Sequence, residues 1–549
     1  MTTISVTDDK IVIKAPYAAK ELCKAVPGAR WDKARKLWFY PRRASVAREI
    51  KQIFQHENYI IQKGSQDAFD ELFIEGQNAW AASAFKDKVP AKLLAQPLSM
   101  TKSWEHQLRA FHFANHQKSI MLAMDMGTGK SKVAVDLCNE KEAMKVLIMC
   151  PLSVVNVWPR EFKLHSIRPW KIATCHQGTN IARKLYAEQQ LALAEIRKEP
   201  VAVVINHESA WRGDFGLLIQ ATDWDVIIVD ESHRAKQYNG KFGKFLGNLQ
   251  QADAFKMCLT GTPMPHSPLD IFSQYRFLDP GIFGFSYNRF KMRYAILGGY
   301  LNKEIVGFDN QDELHEKIYS IGFRVTKDEA LDLPDEMYVK RESRLAESAL
   351  PVYAGIEKDF YAKVESGEIT AANALVQLLR LQQITSGHVG LDGGGHKWIS
   401  DHKRKLLEDV LQDIDEPVVV FCRFRPDLAA VREAAAKLKR TYGEISGAQK
   451  DLTNDAKMPD DIEVLGVQIQ SGGVGIDLTR AAIVIDYSVG FSLGDYLQSR
   501  SRVHRPGQGR KVTYIQLVTP GTVDEKVYAA LQKREDVIES VLRSRNEKA

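Results

Sequence analysis

The sequence predicts an α/β protein with two tandem lobes built on parallel sheets, preceded by a small α/β module. Two observations support this fold class. Short apolar runs with the length of buried strands recur in two series separated by helical patterns, as a doubly wound parallel sheet requires. A glycine-rich turn, Met124–Ser131, stands between one such run and a helical stretch. Strand, glycine turn and helix is the context in which proteins bind phosphate.

The first 60 residues are expected to form the small module, because short strand and helix patterns alternate there. The predicted elements are a strand at Lys10–Lys14, a helix at Tyr17–Val26, a hairpin of Ala29–Asp32 and Leu37–Tyr40, and a helix at Ala44–Phe54. Residues 61–98 are expected to combine helix and linker.

The two lobes follow from the two series of apolar runs. The first series is Val146–Met149, Val201–Ile205, Val226–Val229 and Lys256–Leu259, and the second is Pro417–Cys422, Glu463–Gln468, Ala482–Ile485 and Val512–Val518. The predicted boundaries are a first lobe at 99–275, helical protrusions and an inter-lobe linker at 276–400, a second lobe at 401–535 and a tail at 536–549.

Composition excludes several classes of protein. With 549 residues, of which 44% are hydrophobic, the chain can bury several cores, so it is neither disordered nor fibrous. Its six cysteines are scattered and form no C-x-x-C pair, which predicts reduced core cysteines and no zinc site. We find no apolar stretch of about 18 residues and no signal peptide pattern. We therefore expect no membrane association and a cytoplasmic location in a bacterial or phage-infected cell, or a nuclear one in a eukaryote.

Charge is distributed unevenly. The whole chain carries a formal charge of +6. From Lys20 to Lys51 there are ten basic and three acidic residues, so 10 − 3 = +7 falls within the predicted module alone. A local basic excess of this kind indicates a nucleic-acid partner better than net charge does.

The glycine turn predicts an ATP site. Gly127 and Gly129 allow backbone N–H groups, including that of Thr128, to point at phosphate oxygens. Lys130 is expected to reach the β- and γ-phosphates, and the Ser131 hydroxyl is expected to bind Mg²⁺. An ordinary strand-to-helix turn is the alternative.

Two carboxylates follow the apolar run Val226–Val229 at the expected carboxyl end of a parallel strand, where ligands of α/β sheets bind. Asp230 is placed to hold Mg²⁺, and Glu231 to deprotonate the attacking water. A solvated acidic turn is the alternative, but the preceding phosphate loop favours the catalytic interpretation.

Further motifs resemble those of the Swi/Snf-like ATPases of helicase superfamily two, from about Trp104 to about Leu531. The matching segments are Trp104–Gln107, Cys150–Trp158, Leu259–Pro263, Arg380–Ile384, Ser471–Thr479 and Gln498–Gln508. The resemblance implies two RecA-like lobes that hydrolyse ATP with Mg²⁺ and translocate on double-stranded DNA.

The resemblance also implies roles for individual residues. Gln107 would read adenine, and Arg502 and Arg505 would act as arginine fingers supplied by the second lobe. The other implied roles are nucleotide binding by Gly475 and Asp477, DNA contact by Ser153, Trp158, Ser471 and Gly472, and coupling of the ATP site to DNA by His233, Thr260, Gly261, Thr262 and Gln498.

The amino-terminal module resembles the HARP domain of annealing helicases through Pro27–Asp32 and Lys36–Pro41. That resemblance implies recognition of branched DNA. Stacking on unpaired bases would involve the aromatic residues Trp31, Trp38 and Tyr40. Phosphates would be held by the arginines Arg30, Arg35, Arg42 and Arg43. Alternatively, the tryptophans form the core of a small domain. We expect Trp31 in the core and leave Trp38 open between the two roles.

These features predict an ATP-dependent translocase on duplex DNA that remodels or reanneals branched DNA in replication, repair or recombination. An RNA helicase of the same superfamily and an inactive scaffold that grips duplex DNA are the alternatives. The His-Arg-Pro-Gly-Gln sequence at residues 504–508 argues against the first, and Lys130, Glu231, Arg502 and Arg505 argue against the second. Protein partners cannot be predicted.

Overall fold

A computed structural model describes residues 1–85, 90–249, 251, 253–299, 304–331, 333–365, 371–391, 395–449, 451–452, 457–469 and 476–542. The chain folds into two compact units, Met1–Ala330 and Leu331–Val537. Both contain parallel sheets flanked by helices, which confirms the predicted fold class.

The amino-terminal module is built on a five-stranded sheet in the order β3-β4-β2-β1-β5. Its elements are β1 (Thr2–Val6), β2 (Lys10–Lys14), α1 (Lys20–Ala25), β3 (Arg30–Asp32), β4 (Leu37–Pro41), α2 (Ala44–Ile53), β5 (Tyr59–Ile61) and α3 (Gln66–Phe85). All four elements predicted in this segment are present. Sequence reasoning missed β1 and β5, because one is rich in threonine and serine and the other has only three residues.

The segment expected to combine helix and linker contains the 20-residue helix α3, which packs on the module. Phe69 is fully buried in the same core as Trp38 and Ile50. On the facing helix α2, the Arg48 guanidinium lies 3.8 Å from the centre of the Trp80 ring. Helix α3 therefore belongs to the module by packing.

The first lobe contains a seven-stranded, wholly parallel sheet in the order β14-β6-β11-β10-β7-β9-β8. The strands of this part of the chain are β6 (Ser119–Met124), β7 (Lys145–Cys150), β8 (Lys171–Thr174), β9 (Val201–Asn206), β10 (Val226–Asp230), β11 (Phe255–Thr260), β12 (Ala295–Gly298), β13 (Glu304–Phe308) and β14 (Gly322–Val325). The helices are α4 (Glu105–Asn115), α5 (Lys130–Glu140), α6 (Trp158–His165), α7 (Asn180–Arg197), α8 (His207–Ala210), α9 (Gly213–Ala221), α10 (Lys241–Asn248), α11 (Ile271–Leu278), α12 (Pro280–Phe283), α13 (Tyr287–Tyr294), α14 (Gln311–Tyr319) and α15 (Lys327–Ala330).

Every residue of β6, β9, β10 and β11 is buried, because helices cover both faces of the sheet. This is why the predicted strands appear as continuous apolar runs, and all four of the first series are confirmed.

The amino-terminal module is docked on the first lobe through α12. The Ser45 hydroxyl donates to Asp279 Oδ2 at 2.6 Å, and the Arg30 guanidinium lies 4.0 Å from the centre of the Phe285 ring. A Cβ built on Gly281 would lie 2.3 Å from Ser45 Oγ, so only glycine permits this approach. The module and the first lobe therefore form one packed unit.

The second unit contains a six-stranded parallel sheet in the order β15-β22-β21-β18-β20-β19. Its elements are β15 (Glu336–Glu342), α16 (Leu350–Glu365), α17 (Ala371–Thr385), β16 (His388–Gly390), β17 (His396–Trp398), α18 (His402–Gln412), β18 (Val418–Cys422), α19 (Arg425–Lys437), β19 (Tyr442–Ile445), β20 (Val464–Gln468), β21 (Ile483–Asp486), α20 (Leu493–Val503), β22 (Val512–Val518) and α21 (Val523–Leu542).

All four strands of the second predicted series are present in this sheet. Residues 276–400, expected to form protrusions and a linker, also supply a strand to each sheet, because β14 pairs with β6 and β15 pairs with β22. All six cysteines are buried. Among the described helices, none is long and apolar enough to cross a membrane.

A buried lysine in β11 should destabilise the first unit near neutral pH. Lys256 is 1% exposed, its Nζ donates to the Leu249 and Phe277 carbonyls at 3.3 Å, and burial lowers its pKa to about 7, with Arg43 adding to the effect. An unfolded chain binds more protons at this group between about pH 7 and 10.5, so stability rises with pH there.

Lys256→Met should therefore increase the free energy of unfolding by about 1–4 kcal/mol at pH 7, and by less at pH 9.5. Urea unfolding at pH 7 and 9.5 measures this, with the exposed Lys244→Met as the matched control. A destabilised Lys256→Met, or an unchanged pH dependence, would contradict the prediction.

Candidate functional site

The phosphate loop connects β6 to α5 and requires glycine at two positions. Gly127 and Gly129 have φ values of 87° and 86°, in the left-handed region that favours glycine. Gly129 is the N-cap of α5, and a Cβ added there would lie 2.2 Å from Gln107 Nε2. The predicted strand–turn–helix context is therefore present, with the helix N-terminus directly after the turn.

Two side chains from α4 brace this loop. Gln107 Oε1 accepts from the Trp104 N–H at 2.9 Å, and Gln107 Nε2 donates to the Thr128 carbonyl at 3.0 Å. His106 Nε2 also donates to the Thr128 carbonyl, at 2.8 Å. Gln107, the expected adenine reader, thus lies against the loop, and contact with a base would require these bonds to exchange. Sequence reasoning missed His106, although it stands beside Gln107.

Lys130 bonds within the loop itself. Its Nζ donates to the Met124 carbonyl at 2.8 Å and to the Asp125 carbonyl at 3.2 Å, and Ser131 follows it, half-buried, in the first turn of α5. Asp125 had no predicted role. Its half-buried carboxylate accepts from the Lys327 N–H at 3.0 Å, and partial burial raises the pKa of this group. Asp125 thereby connects the loop to the start of α15.

The acid pair lies at the carboxyl end of β10, as predicted. Asp230 Oδ1 accepts from the Glu231 N–H at 2.9 Å, and both carboxylates are buried. Burial raises the pKa of Asp230, the negative charge of Glu231 raises it further, and the charge of Lys130 opposes the rise. Two adjacent buried acids fit a divalent cation, whose charge offsets their desolvation and mutual repulsion. Asp230 and Ser131 are therefore suitable to hold Mg²⁺.

A chain of polar contacts leads from Glu231 to the segment after β11. Glu231 has a φ of 47°, and its Oε2 lies 3.3 Å from His233 Nδ1. The same His233 nitrogen lies 3.0 Å from Thr260 Oγ1, which accepts from the Thr262 N–H at 3.1 Å. A Cβ on Gly261 would lie 3.3 Å from the phosphate-loop backbone. The structure thus brings four of the residues expected to act in coupling together around the acid pair.

Trp158 does not lie on a DNA-facing surface, contrary to expectation. It is 1% exposed and packs on Phe162 at a ring-centre distance of 6.2 Å, and its indole acts to lower the pKa of Asp230. The Trp158 ring therefore belongs to the hydrophobic core. The motif resemblance alone did not show which residues of the motif are buried and which are exposed. Ser153 is half-buried in the turn Leu152–Val154.

In the second unit, Asp477 closes a turn. Its Oδ1 accepts from the Thr479 N–H at 3.0 Å and from the Thr479 hydroxyl at 2.7 Å. Gln508 Nε2 donates to the Thr479 and Ala481 carbonyls at 3.0 and 2.9 Å, which joins this turn to the segment after α20. Three predicted residues of the same motif, Ser471, Gly472 and Gly475, lie outside the described residues.

Of the two expected arginine fingers, Arg502 lies in the last turn of α20 and Arg505 lies two residues beyond its end. Arg502 is 8% exposed, and its carbonyl accepts from the Leu478 N–H at 3.0 Å. Arg505 is half-buried, and its Nη1 donates to the Ile476 carbonyl at 3.3 Å. Gln498, half-buried, lies one turn before Arg502 on the same helix.

Helix α20 is positioned by an ion pair that sequence reasoning missed. Arg500 donates to both carboxylate oxygens of Asp486, at 3.0 and 2.5 Å, and both residues are buried. The guanidinium also lies 4.1 Å and 4.2 Å from the ring centres of Tyr514 and Tyr496. Such a bidentate, ring-enclosed pair orients the helix relative to the sheet. Its only sequence signal was a further arginine in the same motif, two residues before Arg502.

The two tryptophans of the module differ from expectation. Trp31, expected in the core, is 47% exposed, whereas Trp38 is 7% exposed and packs with Ile11 and Val46. Their rings are 5.0 Å apart at 49°. Tyr40 is also buried, and its hydroxyl donates to the Cys23 carbonyl at 2.8 Å. Trp38 and Tyr40 therefore lack the exposed faces that stacking on bases needs.

The arginines of the module also differ in where they lie. Arg30 packs on Phe285, and Arg43 contributes to lowering the pKa of buried Lys256, so both lie at the contact with the first lobe. Arg42 Nη1 donates to the Asp8 carbonyl at 3.3 Å. Arg35 is exposed in the β3–β4 turn.

The fold and the loop geometry define the class of protein, a phosphate-loop nucleotide hydrolase with two α/β units. The SNF2-related domain matches residues 38–388, well over half of the 549 residues, and the chain therefore belongs to the SNF2-related family. The helicase conserved C-terminal domain matches residues 402–507. Residues 10–49 match a domain of unknown function, DUF5710, so the HARP resemblance stays a prediction.

Similar curated proteins come from several eukaryotes. The chain is 25% identical to the CHD3-type chromatin-remodeling factor PICKLE of Arabidopsis thaliana, covering 78% of this chain and 33% of that protein. It is 24% identical to the Caenorhabditis elegans homolog of SWI/SNF-related matrix-associated actin-dependent regulator of chromatin subfamily A-like protein 1. That match covers 95% of this chain and 73% of the worm protein. It is 25% identical to the DNA repair and recombination protein RDH54 of Saccharomyces cerevisiae (strain AWRI1631), and the match covers 74% of this chain and 49% of the yeast protein. The chain thus spans a third of the plant protein and about half of the yeast protein.

Among solved structures, the SWI2/SNF2 ATPase core of Sulfolobus solfataricus in complex with dsDNA is 21% identical to the chain. The TM-score is 0.39, and the match covers 83% of this chain and 98% of that one.

Proposed function

We propose that this protein is a DNA-dependent ATPase that translocates on double-stranded DNA and remodels or reanneals branched DNA. The observation that carries the proposal is the chain of contacts from Glu231 through His233 to Thr260 and Thr262. These contacts attach the acid pair to a segment that also packs on the phosphate loop. A motion of that segment would therefore change the position of the acids relative to the loop.

The chemistry follows from the side chains in place. Bound Mg²⁺ would supply charge neutralisation to the phosphates, with Asp230 and Ser131 holding it. The loop amides and Lys130 would bind the phosphates, once Lys130 exchanges its bonds to the Met124 and Asp125 carbonyls. Glu231 would take a proton from the attacking water. Arg502 and Arg505 would neutralise charge that develops on the γ-phosphate.

Translocation requires that the site assembles and disassembles in each cycle. The phosphate loop and acid pair belong to the first unit and the two arginines to the second. In the proposed mechanism, hydrolysis would therefore need residues of both units. If each unit holds the DNA backbone in turn, one round of hydrolysis becomes one step along the duplex. The yeast relative is named a DNA repair and recombination protein, which agrees with action on DNA intermediates.

Recognition of branched DNA is assigned to the β3–β4 turn of the module. β3 is an edge strand, and exposed Trp31 packs on Trp38 with its ring half in solvent. In the turn, Lys33 and Arg35 are exposed, while Asp32 Oδ1 accepts from the Arg35 N–H at 3.0 Å. An aromatic platform beside two cations on a rigid turn suits an unpaired base and its phosphates.

The test of the proposed function is steady-state ATP hydrolysis with linear duplex DNA, single-stranded DNA, forked DNA and single-stranded RNA. Strong stimulation by duplex and forked DNA is expected. Greater stimulation by single-stranded RNA would instead indicate an RNA helicase, and hydrolysis that no nucleic acid stimulates would refute the proposal.

The turn yields a separate prediction. Trp31→Ala combined with Lys33→Gln and Arg35→Gln should raise the fork concentration for half-maximal stimulation by about tenfold, since base stacking contributes about 1–3 kcal/mol per base. Stimulation by linear duplex should change less than about twofold. The slope of log affinity for the fork against log salt concentration should decrease by about the amount that two phosphate contacts contribute.

The matched control is Lys14→Gln with Lys63→Gln, which removes two exposed lysines of the same module outside the β3–β4 turn. Equal loss of fork and duplex stimulation in the turn variant, or the same loss in the control, would contradict the assignment of the turn.

A further inference from the structure

Helix α5 carries a second lysine, two residues after Lys130, that the proposed chemistry does not use. Lys132 is 4% exposed. Its Nζ donates to Asp136 Oδ2 at 2.6 Å, to Ser103 Oγ at 2.8 Å and to Ser99 Oγ at 3.3 Å. Both serines lie in the segment before α4, so this cation attaches that segment to the phosphate-binding helix.

The attachment point adjoins the residues that brace the phosphate loop. Ser103 directly precedes Trp104, the N-cap of α4, whose N–H bonds to Gln107 Oε1. The other end of the Gln107 amide bonds to the Thr128 carbonyl. Lys132 therefore sets the start of α4, and α4 sets where Gln107 meets the loop.

The groups facing Lys132 from its neighbouring elements pair with it and with the segment that it contacts. Burial raises the pKa of Asp136, and Lys132 opposes the rise. On α6, burial and the charge of Lys132 lower the pKa of His165 to about 4, so this histidine is neutral and does not compete for Asp136. His165 Nδ1 lies 2.6 Å from Thr101 Oγ1, and the His165 carbonyl accepts from the Ser99 hydroxyl at 2.9 Å.

A buried ion pair of this kind adds little net stability, because desolvation offsets the attraction. Its contribution is geometric, since each serine must meet the ammonium at a particular position. Residues 99–103 form no regular helix or strand, so the positions of their backbone atoms depend on such contacts.

We propose that Lys132 is a positioning residue for the adenine base of ATP. It holds residues 99–104 on α5 so that Gln107 lies beside the phosphate loop, where its amide can exchange its bonds to Trp104 and Thr128 for bonds to the base. Lys132 thereby determines base selectivity. This inference rests on the proposed function, because it assumes that ATP is the substrate and that Gln107 contacts its adenine base.

The experiment compares KM and kcat for ATP and GTP, with saturating duplex DNA, in the wild type and in Lys132→Met. The wild type should prefer ATP. The variant should raise the KM for ATP by about tenfold, change the KM for GTP by less than about threefold, and retain kcat within about threefold, as expected for lost ground-state binding. Adding Gln107→Ala to Lys132→Met should reduce the ATP preference no further.

Two further variants keep the test decisive. Lys141→Met, at the C-cap of the same helix where the lysine donates to the Asn115 carbonyl at 3.0 Å, should leave the ATP preference unchanged. Ser103→Ala removes one acceptor without leaving an unpaired charge and should reduce the preference by a smaller factor, should Lys132→Met fail to fold.

An unchanged ATP-to-GTP ratio in folded Lys132→Met or in Ser103→Ala would overturn the inference, as would a wild type that hydrolyses ATP and GTP equally. Both results would leave a DNA-stimulated hydrolase intact. Absence of DNA-stimulated hydrolysis in the wild type would instead refute the proposed function.

Discussion

Replacing Glu231 with glutamine should lower DNA-stimulated ATP hydrolysis by about 10²–10⁴-fold while leaving nucleotide binding intact. Glutamine keeps the size of the side chain but cannot accept a proton from water. The substitution also removes the negative charge that raises the pKa of Asp230, so Asp230 should hold Mg²⁺ at least as well as before. Binding of ATP, measured separately from turnover, should therefore be unchanged or tighter.

The control for this prediction is another carboxylate of the first lobe. Glu208 is an exposed residue of α8 whose Oε2 accepts from the Asn206 amide at 3.0 Å. Glu208→Gln should retain turnover within about twofold. If Glu231→Gln kept more than a tenth of wild-type turnover, Glu231 could not be the general base, and the chain of contacts through His233 would need a structural explanation.

Replacing Arg502 or Arg505 with alanine should lower kcat by about 10³–10⁵-fold, the range that arginine fingers contribute in comparable enzymes. Lysine should not restore activity, because it offers a point charge where a planar guanidinium makes two directed bonds. Steady-state turnover at saturating duplex DNA measures the effect. DNA affinity, determined independently, should change little.

The competing explanation is that these arginines only stabilise the second unit. Arg505 donates to the Ile476 carbonyl, which is a structural contact. Thermal unfolding distinguishes the two roles, since a catalytic arginine can be lost with little change in Tm. Arg510→Ala is the matched control, because Arg510 is exposed and donates to the Arg480 carbonyl at 2.6 Å. Near-normal kcat in either Arg502→Ala or Arg505→Ala would contradict the arginine-finger assignment.

The phosphate loop and the acid pair could be predicted because their chemistry depends on short segments. Gly127 and Gly129 provide left-handed backbone within six residues of a strand end, and Asp230 ends an unbroken apolar run. In both cases the residue type and its immediate neighbours specify the local conformation. The inner strands of both sheets were predictable for the same reason, since burial on two faces requires continuous apolar residues. The four edge strands, β8, β14, β15 and β19, were not predicted.

The positions of the aromatic residues could not be predicted in the same way. In β4, Trp38 and Tyr40 share one face of the strand, and Leu37 and Phe39 share the other, so both faces are apolar. Period-two alternation then cannot show which face the helices cover. The same ambiguity explains Trp31, which lies in the edge strand β3. Trp158 lies in a helix instead, and there the motif resemblance implied a contact with DNA although the ring is buried in the core.

The sequence by itself determined the family, the two parallel sheets, the phosphate loop and the acids beside it, because each is specified by residues close together along the chain. Only the tertiary structure decided that Trp38 is buried while Trp31 is exposed, that the module docks through Ser45 and Asp279, and that Lys132 meets Ser103. These contacts join segments far apart in sequence. Their geometry depends on how whole helices and sheets pack, which no local pattern of residues specifies.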